Sequence, residues 1–190
     1  SLSFTDEPSR SAILYAAETA KKAGAVISYD PNYRAPLWAG ENEAAKEMRR
    51  GLEYADIVKL SGEELRLLTG RSEPEAGAQV LLSQGIGTVL VTLGPKGCFC
   101  ARRDGSVFLP TYDTAVRDTT GAGDAFTGAF LYRLAASGLQ PGELPFARAA
   151  EFADYANAAG ALCAAGRGAM AAMPDADAIE HCLRATKKLV

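Results

Sequence analysis

Short apolar strands alternate with amphipathic helices along the whole sequence. Strands are predicted at residues 25–29, 56–60 and 88–93, and Val-Leu-Val-Thr-Leu in the last of these is apolar enough for burial on both faces. Predicted helices occupy residues 8–23, 41–54, 75–84, 146–165 and 174–189, and two more open at residue 61 and at the Gly-rich segment 118–124. This alternation predicts a three-layer α/β fold with a mainly parallel sheet, to which a hairpin at residues 97–110 adds antiparallel strands.

Composition narrows the class of protein. The 190 residues are 48% hydrophobic and 23% charged, which is typical of a folded globular chain, and residues 1–190 are interpreted as a single domain. The net charge of −3 argues against nucleic acid or an anionic membrane as a partner, because both attract a basic surface. No apolar run approaches the roughly 18 residues of a membrane span, and no signal peptide is visible, so a cytoplasmic location is expected.

The cysteines and the histidine exclude several kinds of site. The cysteines, at positions 98, 100, 163 and 182, form no C-x-x-C pair and are interpreted as reduced core thiols. A zinc site is disfavoured because the chain has one histidine, His181. The same histidine lies far from any G-x-S-x-G motif, which leaves no hydrolase triad to assemble.

The segment Asp-Thr-Thr-Gly-Ala-Gly-Asp-Ala-Phe at residues 118–126 carries the strongest chemical signal. Its glycines precede a long apolar helix and allow backbone N–H groups to approach a ligand closely. A helix N-terminus also favours anions, so this arrangement suits phosphate. Asp124 follows at once and could take a proton from an attacking hydroxyl. The alternative is a simple turn, with Asp124 favouring the helix dipole; neither a P-loop nor the dinucleotide G-x-G-x-x-G pattern is present.

The same segment resembles the C-terminal signature of the ribokinase (PfkB) family of carbohydrate kinases. The resemblance implies an ATP-dependent kinase whose catalytic base is Asp124. The family's anion hole and the positions near its monovalent cation, usually K⁺, match the following residues: Gly121, Ala122 and Gly123 for the anion hole, and Asp118 and Thr120 for the cation.

Three further segments agree with the family in the right order, and two of them are predicted to border the nucleotide. Thr92, Gly94 and Gly97 are similar to its T-x-G-x-x-G turn beneath the nucleotide, although a Gly-Pro turn after a buried strand also explains them. Asn157 lies in a small-residue helix that resembles the one bordering the adenine. Close helix packing alone also accounts for that composition.

Ser61 and Glu64 lie where the family usually shows N-x-x-E, with serine replacing asparagine. The resemblance implies that Glu64 helps to hold Mg²⁺, through water. A capping box, with Ser61 at the N-cap and Glu64 at N3, explains both residues without any metal.

Residues 30–34, Asp-Pro-Asn-Tyr-Arg, resemble a segment of fructokinases and of 2-keto-3-deoxygluconate kinases. Polar side chains at the end of a parallel strand lie where open α/β sheets bind ligands, and Asp30, Asn32 and Arg34 are therefore candidate substrate or phosphate contacts. An Asx turn and a surface ion pair are the alternatives. The neighbouring residues Tyr33, Leu37 and Trp38 favour the fructokinases, which phosphorylate fructose to fructose 6-phosphate. The alternative substrate is 2-keto-3-deoxygluconate.

Family members are usually longer, and the resemblance implies an N-terminal part that supplies opening strands, a β-lid over the sugar and most sugar contacts. The sequence shows none of these. We therefore expect an unpaired sheet edge at residues 26–29, which favours a homodimer, and weak turnover by this chain alone. A nucleotide-binding module without turnover is the alternative function.

Overall fold

The computed structural model describes residues 2–189 and contains one five-stranded sheet in the order β1-β2-β3-β4-β5. The first two strands pair in parallel, with Ser28 opposite Ile57. The last two are neighbours joined by two residues, which requires an antiparallel hairpin, as predicted. The strands are β1 (Ser28–Tyr29), β2 (Ile57–Ser61), β3 (Thr88–Thr92), β4 (Cys98–Arg102) and β5 (Gly105–Leu109).

Seven α-helices and four short 3₁₀ turns complete the described chain. The helices are α1 (Ser9–Lys22), α2 (Glu41–Leu52), α3 (Gly62–Thr69), α4 (Pro74–Ser83), α5 (Ala122–Ser137), α6 (Phe146–Ala165) and α7 (Ala176–Ala185). The 3₁₀ turns are Leu2–Phe4, Ala35–Leu37, Gly94–Lys96 and Met170–Ala172. The backbone groups into two compact units, one of residues 2–91 with 101–103 and one of residues 92–100 with 104–189.

The first unit has a core of fully buried aliphatic side chains from α2, α3, α4 and the strands, among them Met48, Leu60 and Leu81. Close packing there depends on Gly51, because a Cβ at that position would lie 2.6 Å from the Tyr29 ring. Helix α1 contributes no buried residue. The buried core of this unit is therefore formed by helices α2 to α4 and by the strands.

The second unit is built on α5 and α6, which pack along each other. The rings of Phe130 and Phe152 meet edge to face, with centroids 6.2 Å apart. Small residues keep the two helices close, since a Cβ on Gly160 would lie 3.2 Å from the carbonyl oxygen of Ala122. All four cysteines are free and buried, as the sequence predicted.

Two predicted elements are shorter than expected. The strand predicted at residues 25–29 is reduced to β1, because the Ile27 N–H donates to the Asp56 carboxylate instead of to a strand partner. The helix predicted at residues 174–189 ends at Ala185. Beyond it the chain is extended, and Tyr112 pairs antiparallel with Lys188. In both places a contact distant in sequence prevails over the local pattern.

Candidate functional site

The loop before α5 adopts a conformation that depends on glycine. Gly121 is the N-cap of α5 with φ of 83°, in the left-handed region, and a Cβ there would lie 2.9 Å from the Cβ of Ala169. The helix begins at Ala122, and Asp124 lies in its first turn. In this turn the Ala122 N–H donates to Thr119 O at 3.2 Å, whereas the N–H groups of Gly123 and Asp124 have no acceptor within the helix and can receive an anion.

Asp118 holds this loop in place through both carboxylate oxygens. Its Oδ1 accepts the Thr120 N–H at 3.0 Å, and its Oδ2 accepts the Gly168 N–H at 3.1 Å. Its own N–H donates to Ala164 O at 3.1 Å. Hydrogen bonds from the Thr120 side chain, and from the N–H groups of Thr120 and Gly168, lower the pKa of Asp118. The carboxylate therefore stays ionised and joins the loop to the segment after α6.

Cys163 supports the same loop and was not among the predicted site residues. Its Sγ lies 3.8 Å from the carbonyl oxygen of Thr120, to which the thiol donates. Burial, together with the nearby charges of Asp118 and Asp124, raises the pKa of this thiol, which favours the protonated donor. A lone cysteine in an alanine-rich helix gives no sequence signal for such a contact, because its partner lies 43 residues away.

A cavity of about 500 Å³ opens beside the start of α5, within the second unit. Its lining includes both sequence segments that were predicted to bind nucleotide, and it also includes residues of the predicted anion hole. The predicted residues on its wall are Thr92, Gly94, Gly97, Ala122, Gly123 and Asn157.

The Thr-x-Gly-x-x-Gly turn reaches the cavity because Gly97 brings two backbones into contact. Its φ is 99°, and a Cβ there would lie 2.0 Å from Leu109 O and 2.7 Å from the Thr111 nitrogen. The turn is closed by the Leu93 N–H, which donates to Gly97 O at 2.8 Å. A side chain at residue 97 would therefore push the turn away from the end of β5.

Asn157 positions one wall of the cavity. Its Nδ2 donates to Pro110 O at 2.9 Å and to Leu109 O at 3.3 Å, and the residue is only 6% exposed. These bonds join α6 to the last residue of β5 and to the residue that follows it. The amide therefore has a structural task in addition to its place on the cavity wall.

Asp124 lines a second cavity, of about 340 Å³, together with Gly128, Tyr132 and Tyr155. Gly123 lines the first cavity and Asp124 the second, so consecutive residues of one helical turn face the two spaces. This arrangement would let an anion and a proton donor approach the same turn from different sides.

In the first unit, the segment of residues 30–34 is held by buried polar contacts. Asp30 Oδ2 accepts from Lys59 Nζ at 3.0 Å, and Lys59 is 7% exposed. Asn32 is left-handed with φ of 52°. Arg34 is exposed, and its Nη1 donates to Tyr33 O at 2.9 Å. The partner of Asp30 was not predicted from the sequence.

Glu64 joins this segment to α3. Its Oε1 accepts the Tyr33 N–H and its Oε2 accepts the Ser61 N–H, both at 2.6 Å, and the residue is 4% exposed. Ser61 Oγ accepts the Glu64 N–H at 3.2 Å, which confirms the capping box. Residues 2–189 hold no group of three or more His, Cys, Asp or Glu side chains arranged for a metal. The magnesium role of Glu64 stays a prediction.

A family model described as pfkB family carbohydrate kinase matches residues 2–176, which is most of the 190-residue chain. The chain belongs to the pfkB family of carbohydrate kinases. The resemblance of the 118–126 segment to that family is thereby confirmed.

This chain is similar in sequence and in structure to fructokinases. Fructokinase-1 of Oryza sativa subsp. japonica is 43% identical over 176 residues, which cover 92% of this chain and 54% of the relative. A fructokinase from Vibrio cholerae O395, solved with fructose, ADP and calcium ion, has a TM-score of 0.87 at 36% identity and covers 96% of this chain and 58% of that one.

Aminoimidazole riboside kinase from Salmonella enterica, solved with aminoimidazole riboside and an ATP analog, has a TM-score of 0.83 at 33% identity. The match covers 95% of this chain and 60% of that one. The α/β, ribokinase-like fold predicted from the sequence is confirmed by these neighbours. The chain spans about half the length of the curated relatives it matches. Within residues 2–189, no helix combines the length and apolarity needed to cross a membrane.

Proposed function

We propose that this chain carries the nucleotide-binding and catalytic part of an ATP-dependent sugar kinase that converts fructose to fructose 6-phosphate. The observation that carries the proposal is the cavity beside α5, where Thr92, Gly97, Asn157 and Gly123 share one wall although the sequence separates them widely. The fructokinase relatives supply the substrate, and the pfkB family supplies the reaction class.

The chemistry of the cavity suits a nucleoside triphosphate. Gly94 leaves open space on the cavity wall, since a Cβ there would meet no atom within 4 Å, so a ligand can approach the chain closely at that residue. The first turn of α5 offers N–H groups and the positive end of a helix dipole, which favour the phosphates. Gly121, Ala122 and Gly123 would stabilise the charge on the transferring phosphoryl group.

Asp124 would act as the general base. A sugar hydroxyl beside Asp124 gives its proton to the carboxylate while its oxygen forms a bond to the terminal phosphorus of ATP. The bond from that phosphorus to the bridging oxygen breaks, and ADP leaves with the electron pair. Support comes from the first turn of α5, where Gly123 faces the nucleotide cavity and Asp124 faces the neighbouring one.

Two cations belong to the proposal. Magnesium would neutralise phosphate charge, and Glu64 would reach it only through water, since both of its oxygens already accept backbone N–H groups. A monovalent cation, K⁺, would lie near Asp118 and Thr120, whose loop carries an ionised carboxylate. The Vibrio cholerae fructokinases were solved with calcium in one case and with potassium in another.

The substrate contacts would come from Asp30, Asn32 and Arg34. The Lys59 ion pair holds Asp30 in place, while the exposed Arg34 guanidinium could donate hydrogen bonds to an oxyanion or to the oxygen of a sugar hydroxyl. The riboside kinase relative makes a nucleoside-like riboside a second candidate acceptor. The match covers only 54% of the Oryza sativa fructokinase, so nucleotide binding without turnover is a second candidate function for this chain alone.

The test compares the chain with its Asp124→Asn variant. Calorimetry with Mg-ATP is run beside coupled phosphorylation of fructose, 2-keto-3-deoxygluconate and aminoimidazole riboside. We expect equal ATP affinity in both proteins and a loss of about 10²–10⁴-fold in any turnover on Asp124→Asn.

Each outcome decides between the candidates. ATP binding without turnover in the unmodified chain favours the nucleotide-binding module, and preference for the riboside favours the second acceptor. Undiminished turnover by Asp124→Asn contradicts the assigned base, and failure of the unmodified chain to bind Mg-ATP contradicts the nucleotide site.

A further inference from the structure

We propose that residues 187–189 form the base-binding wall of the nucleotide cavity and that Leu189 contacts the base of the bound nucleotide. The inference rests on the proposed function, because it assigns one end of the same cavity. It concerns a segment that the sequence pattern placed in a helix and that the structure shows as extended.

The backbone of this segment is paired with the chain that follows β5. The Leu189 N–H donates to Thr111 O at 2.8 Å, and the Asp113 N–H donates to Lys187 O at 2.8 Å. Between these bonds, Tyr112 and Lys188 form an antiparallel bridge. Residues 187–189 are therefore fixed against residues 111–113 by a short ladder.

The side chain of Lys188 anchors the segment to α6. Its Nζ lies 2.8 Å from each carboxylate oxygen of Asp154 and 5.3 Å from the centroid of the Tyr112 ring. Tyr112 is itself buried, at 2% exposure. Successive side chains of an extended segment point to opposite faces, so anchoring Lys188 directs Leu189 the other way. Leu189 lies on the wall of the 500 Å³ cavity.

The positions of the two ends of the cavity along α6 indicate which part of a nucleotide Leu189 would contact. Asn157 and Ala164 both line the cavity and lie seven residues apart on α6, a rise of about 10 Å. The Ala164 carbonyl accepts the Asp118 N–H, so this end of α6 marks the anion-binding loop. Asn157 donates to Pro110 O, next to Thr111 and hence to Leu189. A nucleotide with its phosphates at α5 therefore places its base at the Leu189 end.

The chemistry of the contact follows from the side chain. Leu189 is 38% exposed and presents an isobutyl group, which can cover the face of a flat base but cannot read its hydrogen-bonding edge. We therefore expect Leu189 to strengthen binding of ATP and GTP alike. It should contribute nothing to binding of a ligand that has phosphates but no base.

The experiment measures Mg-ATP, Mg-GTP and inorganic tripolyphosphate by calorimetry on the unmodified chain and on Leu189→Ala. Truncation should weaken both nucleotides about three- to tenfold, as expected for loss of a partly buried isobutyl group, and leave tripolyphosphate unchanged. Phe108→Ala is the matched control. It removes an apolar side chain of similar exposure, 47%, that lines neither cavity, and should change no affinity.

A second variant acts on the anchor and not on the contact. Lys188→Met removes the ion pair with Asp154 and should weaken both nucleotides in the same direction while sparing tripolyphosphate. Unchanged nucleotide affinity in both variants overturns the inference, as does an equal loss for nucleotide and tripolyphosphate. If the unmodified chain binds neither nucleotide, both the proposed function and this inference are overturned. If the unmodified chain binds them and Leu189→Ala and Lys188→Met bind them equally well, the inference alone is overturned.

Discussion

At the scale of single residues, the candidate site is organised by side chains whose hydrogen bonds shape the backbone. Asp118 accepts the Thr120 and Gly168 N–H groups, and Glu64 accepts the Tyr33 and Ser61 N–H groups. Asn157 donates to the last carbonyl of β5 and to the next one along the chain. The N–H groups that Asp118 accepts lower its pKa and stabilise its charged form. The polar residues of the motifs therefore define the shape of the loops as well as their chemistry.

The pH dependence of folding should show the contribution of Asp118. Its pKa is lowered in the folded chain, so its contribution is complete above the unfolded value of about 3.9 and is lost as the pH falls through the lower folded value. We expect Asp118→Asn to reduce the free energy of unfolding at pH 7, and the difference from the unmodified chain to shrink below about pH 4. Urea unfolding across this range measures both proteins, and a difference that grows on acidification would contradict the assignment.

At the scale of elements, the start of α3 shows how one carboxylate connects two segments. Glu64 completes the capping box and also accepts the N–H of Tyr33 from the segment of residues 30–34. Any change at Glu64 therefore acts on a helix terminus and on a candidate substrate loop at once.

Replacing Glu64 by Gln should destabilise the chain whether or not magnesium is present. The amide offers one acceptor where the carboxylate offers two, which leaves a buried N–H without its partner at a cost of about 1–3 kcal/mol. Ser61→Ala is the control for the cap alone, at about 1 kcal/mol. Urea unfolding with and without Mg²⁺ separates the roles, because an effect seen only with the metal would point to a metal site instead of a structural one.

Elements with local signals could be predicted, and those defined by distant pairing could not. Helix α6 spans the predicted residues 146–165, and the capping box at α3 follows from Ser61 and Glu64 alone. The extended residues 187–189 depend on partners at 111–113, and the Asp118 bond to Gly168 spans 50 residues. No periodicity in the sequence encodes such partners. The motif at residues 118–126 could be recognised from the sequence, because its glycines and Asp124 lie next to one another in the chain.

At the scale of the whole molecule, the sheet ends on a short strand. β1 lies at one end of the strand order, and Val26 just before it is 40% exposed. Helix α1 nearby in sequence leaves Tyr15 72% exposed. A strand at the end of a sheet, together with exposed apolar side chains, favours association with another chain.

We expect the 190-residue chain to form dimers or larger species through this edge. Light scattering over a range of concentrations measures the effect, and Val26→Lys should reduce it, because a charge at a strand edge opposes edge pairing. Phe108→Lys places the same charge on β5, at the other end of the strand order, and should have little effect. A monodisperse monomer would refute the expectation, and a response to Phe108→Lys alone would assign the association to the other edge.

The first turn of α5, which presents Gly123 to one cavity and Asp124 to the next, constrains how such a protein can diversify. Each residue of an α-helix turns the chain by about 100°, so one inserted residue ahead of Asp124 would rotate its carboxylate away from its cavity. We therefore expect an insertion or deletion in this turn to separate the two residues from their cavities, whereas a change of length in a distant loop would leave both in place. Under the proposed function, a new preference for an acceptor should therefore come from substitutions or from loops of changed length elsewhere in the chain, with the length of this helical turn unchanged.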